Sequence, residues 1–312
     1  MINSVRSTVL SILNKNNYGY VSPADFNSFA KQAQLEIFED YFSNINKQIN
    51  LENVRQSGTD YANLVKIISE GIEYFSSTNF LSHFANNIFY MPSLSTTGDN
   101  WYVTGKILCY TNELATGNTS SVVVNQLVDT AGAFTSKGIV ANDIVVSVST
   151  GDIARVISVV SATVISLTAD IFTYAPEDYL ILESASVKEA EKVTHGKVTM
   201  LNTSNLTMPN NTFPAYTLEN SFITVYPSTI DDKGKVLAQY TRYPLDPKWT
   251  YVSLSGGEPS FDQSQPDYQD FELPLEEEPN LIIKILAYCG LSIRETEVYQ
   301  FAKLEEREND AK

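Results

Sequence analysis

The chain has 312 residues, of which 43% are hydrophobic and 19% charged, and its net charge is −16. A chain of this length and composition buries a sizeable core and has room for two domains, which excludes extensive disorder. Its negative charge repels nucleic acid, so high-affinity phosphate binding would need a local basic patch, and the sequence contains no Lys/Arg run. Residues 258–312 have five basic and fourteen acidic groups, so −9 of the −16 lies there.

The two cysteines and the first residues of the chain indicate the cellular compartment of the protein. Cys109 and Cys289 lie far apart, without a CxxC pair or histidines at ligand spacing, so we expect buried free thiols rather than a disulfide or a zinc site. Polar residues interrupt the apolar positions at the start of the chain, and no stretch approaches about twenty apolar residues. We therefore expect a cytosolic product that is neither secreted by a conventional signal nor membrane spanning.

Two helices are predicted near the start of the chain. Val5, Val9 and Leu13 recur at helical spacing and predict a helix over about residues 4–15, with Asn3 or Ser4 as its cap.

The helix predicted from Ser22 to Asn46 has the clearer start signal. The Ser22 hydroxyl can accept a backbone N–H, Pro23 fits the first helical position, and Asp25 completes a capping-box pattern. Its apolar positions form one stripe about six turns long, made by Phe26, Phe29, Ala30, Ala33, Ile37, Tyr41 and Ile45.

Further helical patterns are weaker or lie near the end of the chain. Asp60–Phe75 and residues 186–203 are predicted to be helical. Helical structure is also predicted from Leu275 to Leu304, where Gly290 would end a first helix and Glu295–Arg307 would form a second. Three acidic residues occupy the favourable N-terminal end of that first helix: Glu276, Glu277 and Glu278.

From Trp101 onward the apolar period changes to two, which is typical of strands. Turns at Ser149–Asp152 and at Ser161–Ala162 separate short alternating runs, too close together for crossover helices, so an antiparallel sheet is predicted. Polar segments flank this block. We therefore predict a small all-β barrel or sandwich at residues 100–183, inserted into a host domain made of residues 1–99 and 184–312.

The region after the inserted module contains more strand patterns. Strands are predicted at Ser221–Tyr226, Lys235–Tyr243 and Thr250–Leu254, with the first two joined as a hairpin through PSTIDDKG. Ser255–Asp270 is predicted to be a polar loop. The predicted fold class is α+β, with terminal helices packed with an antiparallel or mixed β core.

Candidate chemical sites all have plainer interpretations. His83 and His195 are far apart in sequence and neither accompanies a nucleophile elbow, which argues against Ser/His/Asp catalysis. Asp231 and Asp232 could begin a cation site, but turn chemistry accounts for both. The acidic run at residues 276–278 is better explained by helix capping and solvation than by metal binding. We predict no catalytic, cofactor-binding or metal-binding residues.

Several segments together resemble the head-to-tail joining proteins of short-tailed, crAss-like bacteriophages, also called ring, adaptor or connector proteins. The resemblance lies in SPADFNSFAKQAQLEIFEDYF near the start, in FPAYTLENSFITVYP and VLAQYTRYPLDPKWTYV in the β region, and in DFELPLEEEPNLIIKILAYCGLSIRETEVYQFA near the end. The segment DTAGAFTSKGIVANDIVVSVSTGDIARVISVVSATVISLTADIF is similar to a β module inserted in many phage structural proteins.

The resemblance implies a structural virion protein at the head–tail junction, made in the cytoplasm of a bacterial host. Such a protein forms a ring of twelve subunits, contacts the portal protein and other tail ring, hub or fibre proteins, and lines the DNA channel without binding DNA specifically. It implies neither an active site nor a cofactor nor a membrane partner. An acidic wall would let DNA slide past, and the three glutamates at residues 276–278 are candidates for that wall.

The candidates for subunit interfaces are aromatic residues, and each could instead pack inside its own subunit: Phe26, Phe29, Tyr41, Tyr240, Tyr243, Trp249 and Tyr251. Two other functions stay open. A receptor-binding or fibre-base protein would display an exposed aromatic platform, and a cell-wall hydrolase would show activity in a zymogram.

Overall fold

The computed structural model describes residues 1–15, 21–55, 71–292, 300 and 303–304. The chain divides into two compact units, one made of Met1–Phe75 with Tyr243–Lys312 and the other of Ser76–Arg242. The first unit contributes the terminal helices and the second contains most of the strands. The predicted α+β class is therefore confirmed. Inside the described part of the chain no sheet closes into a barrel, and the inserted module at residues 100–183 stays a prediction.

The helices whose bounds lie within the described residues are α1 (Ile2–Lys15), α2 (Pro23–Arg55), α3 (His195–Asn202) and α4 (Glu278–Ser292). A 3₁₀ turn at Leu275–Glu277 precedes α4. The predicted C-cap at Gly290 is wrong, because α4 continues through it to Ser292. Of the predicted helix Asp60–Phe75, residues 60–70 lie outside the described residues, as does nearly all of Glu295–Arg307.

The start of α2 confirms the capping prediction. The Asp25 N–H donates to the Ser22 hydroxyl at 3.1 Å, and that hydroxyl donates to the Asp25 carboxylate at 2.7 Å. The helix runs nine residues beyond the predicted end at Asn46, because residues 47–55 contain neither Gly nor Pro. Part of the predicted stripe is buried against its own unit, through Phe26, Ala30, Ala33 and Ile37.

The cap of α1 comes from a distant part of the chain rather than from Asn3 or Ser4. The Asp270 carboxylate accepts the Ile2 N–H at 2.7 Å and the Met1 amino group at 3.0 Å. An acidic group is favourable at this end of a helix because it faces unpaired N–H groups and the positive end of the helix dipole. Asp270 therefore fixes the start of α1 through tertiary structure.

Among residues 71–292 the strands have the following bounds: β1 Ser76–Phe80, β2 His83–Ala85, β3 Ile88–Tyr90, β4 Trp101–Tyr110, β5 Glu113–Asn118, β6 Ser121–Val123, β7 Gln126–Val128, β8 Ile144–Ser147, β9 Ile153–Ser161, β10 Val164–Leu167, β11 Asp178–Leu182, β12 Val187–Glu189, β13 Glu191–Lys192, β14 Ala215–Glu219, β15 Phe222–Tyr226, β16 Val236–Arg242, β17 Tyr251–Ser253 and β18 Pro259–Phe261. Strands β1–β16 belong to the second unit, and β17 and β18 pair in the first.

Three sheets form the second unit. Their strand orders are β1-β16-β4-β12, β5-β11-β8-β9-β10-β7-β6 and β13-β14-β15-β3-β2. The pairing is antiparallel except between β13 and β14, which run parallel. The predicted antiparallel run through the turns near residues 150 and 162 is confirmed by β8, β9 and β10.

Several buried cores support these sheets, and two of them are large. Side chains from the four- and five-stranded sheets share one core, which includes Phe89, Ile107, Ile223 and Ala238. The seven-stranded sheet buries its own core, which includes Leu127, Phe134, Val145, Ile165 and Ile181. Apolar side chains at alternate positions of neighbouring strands point to the same face, which is why a period of two produces these cores.

Three local predictions are wrong and one set of strands was not predicted, each for an identifiable reason. The helix predicted at residues 186–203 begins only at His195, because residues 187–192 pair as β12 and β13. The predicted hairpin through PSTIDDKG does not form, because β15 and β16 belong to different sheets. The Ser255–Asp270 loop contains β18, and the polar strands β1–β3 were missed because Ser, Asn and His mask their alternation.

Candidate interaction surfaces

Three of the predicted interface aromatics are buried within their own units. Phe26 is buried on α2, with the Arg6 guanidinium 6.0 Å from its ring centroid, and the Tyr240 hydroxyl donates to Asp99 at 2.7 Å. Trp249 donates its indole N–H to Asn3 at 3.1 Å, and the Arg6 guanidinium lies 3.8 Å from its ring centroid. These side chains offer a partner little surface, so their contacts stabilise the subunit that contains them.

The other four are exposed or half-buried. Phe29 stacks on Tyr288 with a centroid separation of 6.1 Å, and Tyr243 packs 5.7 Å from Phe38. Tyr251 is exposed and stacks on the buried Trp249 at 5.6 Å. Their assignment to an interface stays a prediction, and of the four Tyr251 presents the most surface.

Tyr41 links the predicted helix stripe to the acidic run. Its hydroxyl donates to Glu277 at 3.0 Å, and burial together with the nearby Glu277 charge raises the tyrosine pKa well above its usual range. Glu277 also accepts from the Asn280 amide at 2.7 Å, whereas Glu276 is exposed and Glu278 begins α4. The three glutamates therefore do not converge on one point, and their role in lining a channel stays a prediction.

The acidic pair at residues 231 and 232 surrounds a buried lysine. Lys235 Nζ lies 3.4 Å from Asp231, 3.0 Å from Asp232 and 2.7 Å from Glu113. Burial lowers the pKa of Lys235, but hydrogen bonds to Glu113 and Asp232 outweigh it, so that the pKa is raised overall. The lysine supplies the positive charge that a bound cation would otherwise provide.

The two histidines contact nearby polar groups of the fold, and the two cysteines are buried. His83 Nε2 lies 2.6 Å from the Asn86 carbonyl oxygen, and His195 lies 3.5 Å from Glu219. Both cysteines are buried and free, as expected, and burial raises the pKa of each thiol to about 12. Within the described residues no three His, Cys, Asp or Glu side chains are grouped to hold a metal ion.

A cleft of about 310 Å³ lies in the first unit, between the start of α2 and the segment around β17. Several of its polar groups are already paired. The Asn27 side chain donates to the Trp249 carbonyl at 3.2 Å and accepts the Trp249 N–H at 2.9 Å, and Lys248 forms an ion pair with Asp267. These contacts hold the start of α2 against the segment around β17.

Residues 194–213, which we call the arm, contain three of the four most exposed large apolar side chains in the part of the chain that the structure describes. Leu206 is 94% exposed, Phe213 75% and Met200 74%. The arm comprises α3 and the loop that follows it, and the small core beneath it includes Val193, Val198 and Ala215.

Local hydrogen bonds give the arm its shape. The Thr194 hydroxyl caps α3 by accepting the Lys197 N–H at 3.3 Å. The Met208 N–H donates to the Ser204 carbonyl at 2.9 Å, and the Phe213 N–H donates to the Asn210 side chain at 3.0 Å. The arm is thus ordered by backbone and polar contacts, while its large apolar side chains face solvent.

A second apolar surface lies on residues 121–124, which we call the valine edge. It consists of β6, the last strand of the seven-stranded sheet, and the turn that leads to β7. Val122, Val123 and Val124 are all exposed. Because β6 pairs on one side only within its sheet, the valine edge combines apolar side chains with a free strand edge.

A third surface is an aromatic triad at the edge of the five-stranded sheet. The rings of Phe84, Tyr90 and Phe222 have centroid separations of 5.2, 5.6 and 4.9 Å. Phe84 lies on the edge strand β2 and is exposed, whereas Tyr90 and Phe222 are half-buried. These rings form a continuous aromatic surface.

The sequence predicted a helix for the first half of the arm, up to residue 203, and placed the three valines within the β block of residues 100–183, but it did not predict that either segment exposes apolar side chains. A signal was nevertheless present, since residues 192–218 form the longest interval of the chain without Asp or Glu, and residues 114–128 contain no charged residue. In a chain with a charge of −16, such intervals mark where a second acidic molecule can approach.

No family model matches the chain, and no curated protein matches its sequence. None of the helices in the described ranges is both long enough and apolar enough to cross a membrane.

Proposed function

We propose that this chain is a structural virion protein that forms a ring at the portal–tail junction of a short-tailed bacteriophage. In this role it joins head to tail and lines the DNA channel, with the portal protein on one side and tail ring, hub or fibre proteins on the other. The sequence resemblance described above suggests a dodecamer. The protein acts through shape and contact surface rather than turnover.

The observation that carries the proposal is the presence of two different exposed apolar surfaces, the arm and the valine edge, on one compact unit. Exposed apolar patches are typical of protein–protein contacts. A closed ring needs two different patches on each subunit, because its interfaces are heterologous. One unit with two such patches meets this requirement.

The charge of the chain supports the channel role. A net charge of −16 repels the phosphate backbone, so that a wall built from this chain offers DNA no strong attachment. Glu276 is exposed at the start of the α4 region and is a candidate for that wall, together with Glu278. This supports passage of DNA rather than binding.

A conditional knockout tests the proposal. An amber codon placed early in the gene is introduced into the phage, which then infects a non-suppressing host. We expect DNA-filled heads without attached tails, because the joint between them is missing. Complete tailed particles that infect normally would contradict the proposal, and a suppressor host is the matched control.

The aromatic triad favours a second candidate, a receptor-binding or fibre-base structural protein, because a cluster of aromatic rings with one exposed member, Phe84, is suited to contact sugar rings. This candidate predicts tailed but non-adsorbing particles in the same knockout. It also predicts that purified protein binds a host glycan, that Phe84→Ser abolishes binding and that Phe213→Ser preserves it. Absence of glycan binding would contradict this candidate.

A further inference from the structure

We infer that the arm of one copy docks on the valine edge of a second copy, an inference that rests on the proposed ring. The arm presents Leu206, Phe213 and Met200 to solvent, and the valine edge presents three adjacent valines. Burial of apolar surface on both sides is the main driving force for such a contact.

Charge limits which surfaces of two copies can meet. Each copy has a charge of −16, so two copies repel one another across most faces. The arm contains no Asp or Glu and one Lys, whereas residues 114–128, which include the valine edge, are uncharged. Contact between the loop of the arm and the valine edge therefore brings no acidic side chains of these two segments together. Glu191 and Glu219 lie at the α3 end of the arm, where they pair with Lys197 and His195.

The backbone of the valine edge adds a second reason. Strand β6 is three residues long and pairs with β7 through Val122 opposite Leu127 and Val123 opposite Gln126. Its other side is a free edge of the sheet, where N–H and C=O groups can bond to an incoming segment. The loop of the arm is rich in Asn, Ser and Thr and supplies polar groups beside its apolar ones.

The two surfaces are different, so the contact is heterologous. An arm that docks on the valine edge of the next copy leaves that copy's own arm available for the one after it. Repetition of the contact produces a ring if the rotation closes and a filament if it does not. A dimer made by two arms in mutual contact would instead be isologous and would stop at two copies.

Mixed-isotope photo-cross-linking tests this pairing directly. Full-length protein that has p-benzoyl-phenylalanine in place of Leu206 is mixed in equal parts as ¹⁴N and ¹⁵N chains, irradiated and digested. We expect peptides of mixed isotope composition that join residue 206 to the segment around residues 121–128. Mixed-isotope links from residue 206 to another arm or to another region, or no such links, would overturn the inference.

Variants supply an independent measurement by sedimentation equilibrium over a range of protein concentration. We expect Leu206→Ser/Phe213→Ser and Val123→Ser/Val124→Ser each to weaken self-association by about tenfold or more. The control Leu94→Ser/Val140→Ser removes two other exposed apolar side chains of the same unit and should leave association unchanged. Wild-type protein that stays monomeric throughout, or equal effects of all three pairs, would overturn the inference.

The salt dependence provides a further check on the charge argument. Salt screens the repulsion between acidic copies, so association should strengthen between about 0.05 and 0.5 M NaCl. Association that weakens with salt would point to ion pairs and would contradict an apolar, acid-free contact.

Failure of this inference is distinguishable from failure of the proposed function. A knockout that gives tailless heads without arm-to-edge links leaves the joining role intact and rejects only this contact. A knockout that gives normal tailed particles together with arm-to-edge links rejects the joining role and leaves the contact in place.

Discussion

The core of the seven-stranded sheet and the arm differ in which side chains they bury and which they expose. In the core, polar groups are buried with partners, as where the Tyr179 hydroxyl donates to Asp129 at 2.6 Å. In the arm, large apolar side chains are exposed although the backbone is ordered. The core stabilises the unit, whereas the arm holds apolar surface that its own chain does not cover.

The largest expected effect comes from one substitution made in both regions. Phe134→Ala removes a fully buried ring from the core of the seven-stranded sheet and should lower the free energy of unfolding by about 4 kcal/mol. Phe213→Ala removes an exposed ring from the arm and should change it by less than about 0.5 kcal/mol. Urea unfolding followed by circular dichroism measures both. Similar losses would show that the arm is part of the core.

A second pair separates steric fit from backbone conformation. Gly234 and Gly138 both have positive φ, at +75° and +73°, but a Cβ at Gly234 would lie 2.3 Å from Val146 Cγ2, whereas Gly138 has open space. Gly138→Ala should lower the free energy of unfolding by about 1 kcal/mol, because of the backbone conformation alone. Gly234→Ala should lower it by about 3 kcal/mol, because the contact with Val146 adds to the backbone effect. Thermal unfolding measures the difference. Equal shifts would mean that the contact with Val146 relaxes without cost.

A third pair tests the buried polar contact. Tyr179→Phe removes the donor to Asp129, which is itself buried, and should lower the free energy of unfolding by about 2 kcal/mol. Tyr174→Phe removes a solvent-exposed hydroxyl contact with Ser149 and should cost less than about 0.5 kcal/mol. Denaturant titration at pH 7 compares the two, and an equal cost would contradict the role given to burial.

The smallest expected effect is the contribution of the Asp270 carboxyl group to the pH dependence of stability. Burial raises the pKa of Asp270, but hydrogen bonds from the N-terminal amino group and from the Ile2 and Phe271 N–H groups lower it overall. A carboxyl whose pKa is lower in the folded state contributes stability above its unfolded pKa of about 3.9, and this is lost as pH falls through the folded value.

The variant Asp270→Asn tests whether the Asp270 carboxylate stabilises the folded state at neutral pH and loses this effect in acid. Because the side chain is partly exposed, the loss at pH 7 should be about 1 kcal/mol or less. The difference between wild type and variant should stay constant from pH 7 to about pH 5 and shrink below about pH 4. Thermal unfolding across this range measures it, and a difference that grows toward acid would reverse the assignment.

The parts of the fold that were predictable are those where the signal is local. Ser22, Pro23 and Asp25 define the start of α2 because capping acts within one turn, and the alternation around β8–β10 follows from the pleat. Asp270 as the cap of α1 was not predictable, since it lies 268 positions away from its partner Ile2. Neither was the separation of β15 and β16 into different sheets, because a turn-like sequence does not reveal which strand lies beside which.

The candidate surfaces, too, could be predicted from the sequence only in part. Aromatic residues suggested interfaces, but Phe26 and Trp249 are both buried within their own unit. A helical stripe such as the one that contains Phe26 has the same sequence pattern whether it packs against its own unit or against another molecule. The arm was hidden by its Asn and Thr residues. Only its exposure in the folded chain reveals that Leu206 and Phe213 lack apolar cover.

Cryo-electron microscopy of intact particles tests the central claim most directly. We expect a closed ring of this chain on the axis between head and tail, with Leu206 of each copy against the valine edge of the next. Density for the chain away from that axis, or its absence from the particle, would contradict the account.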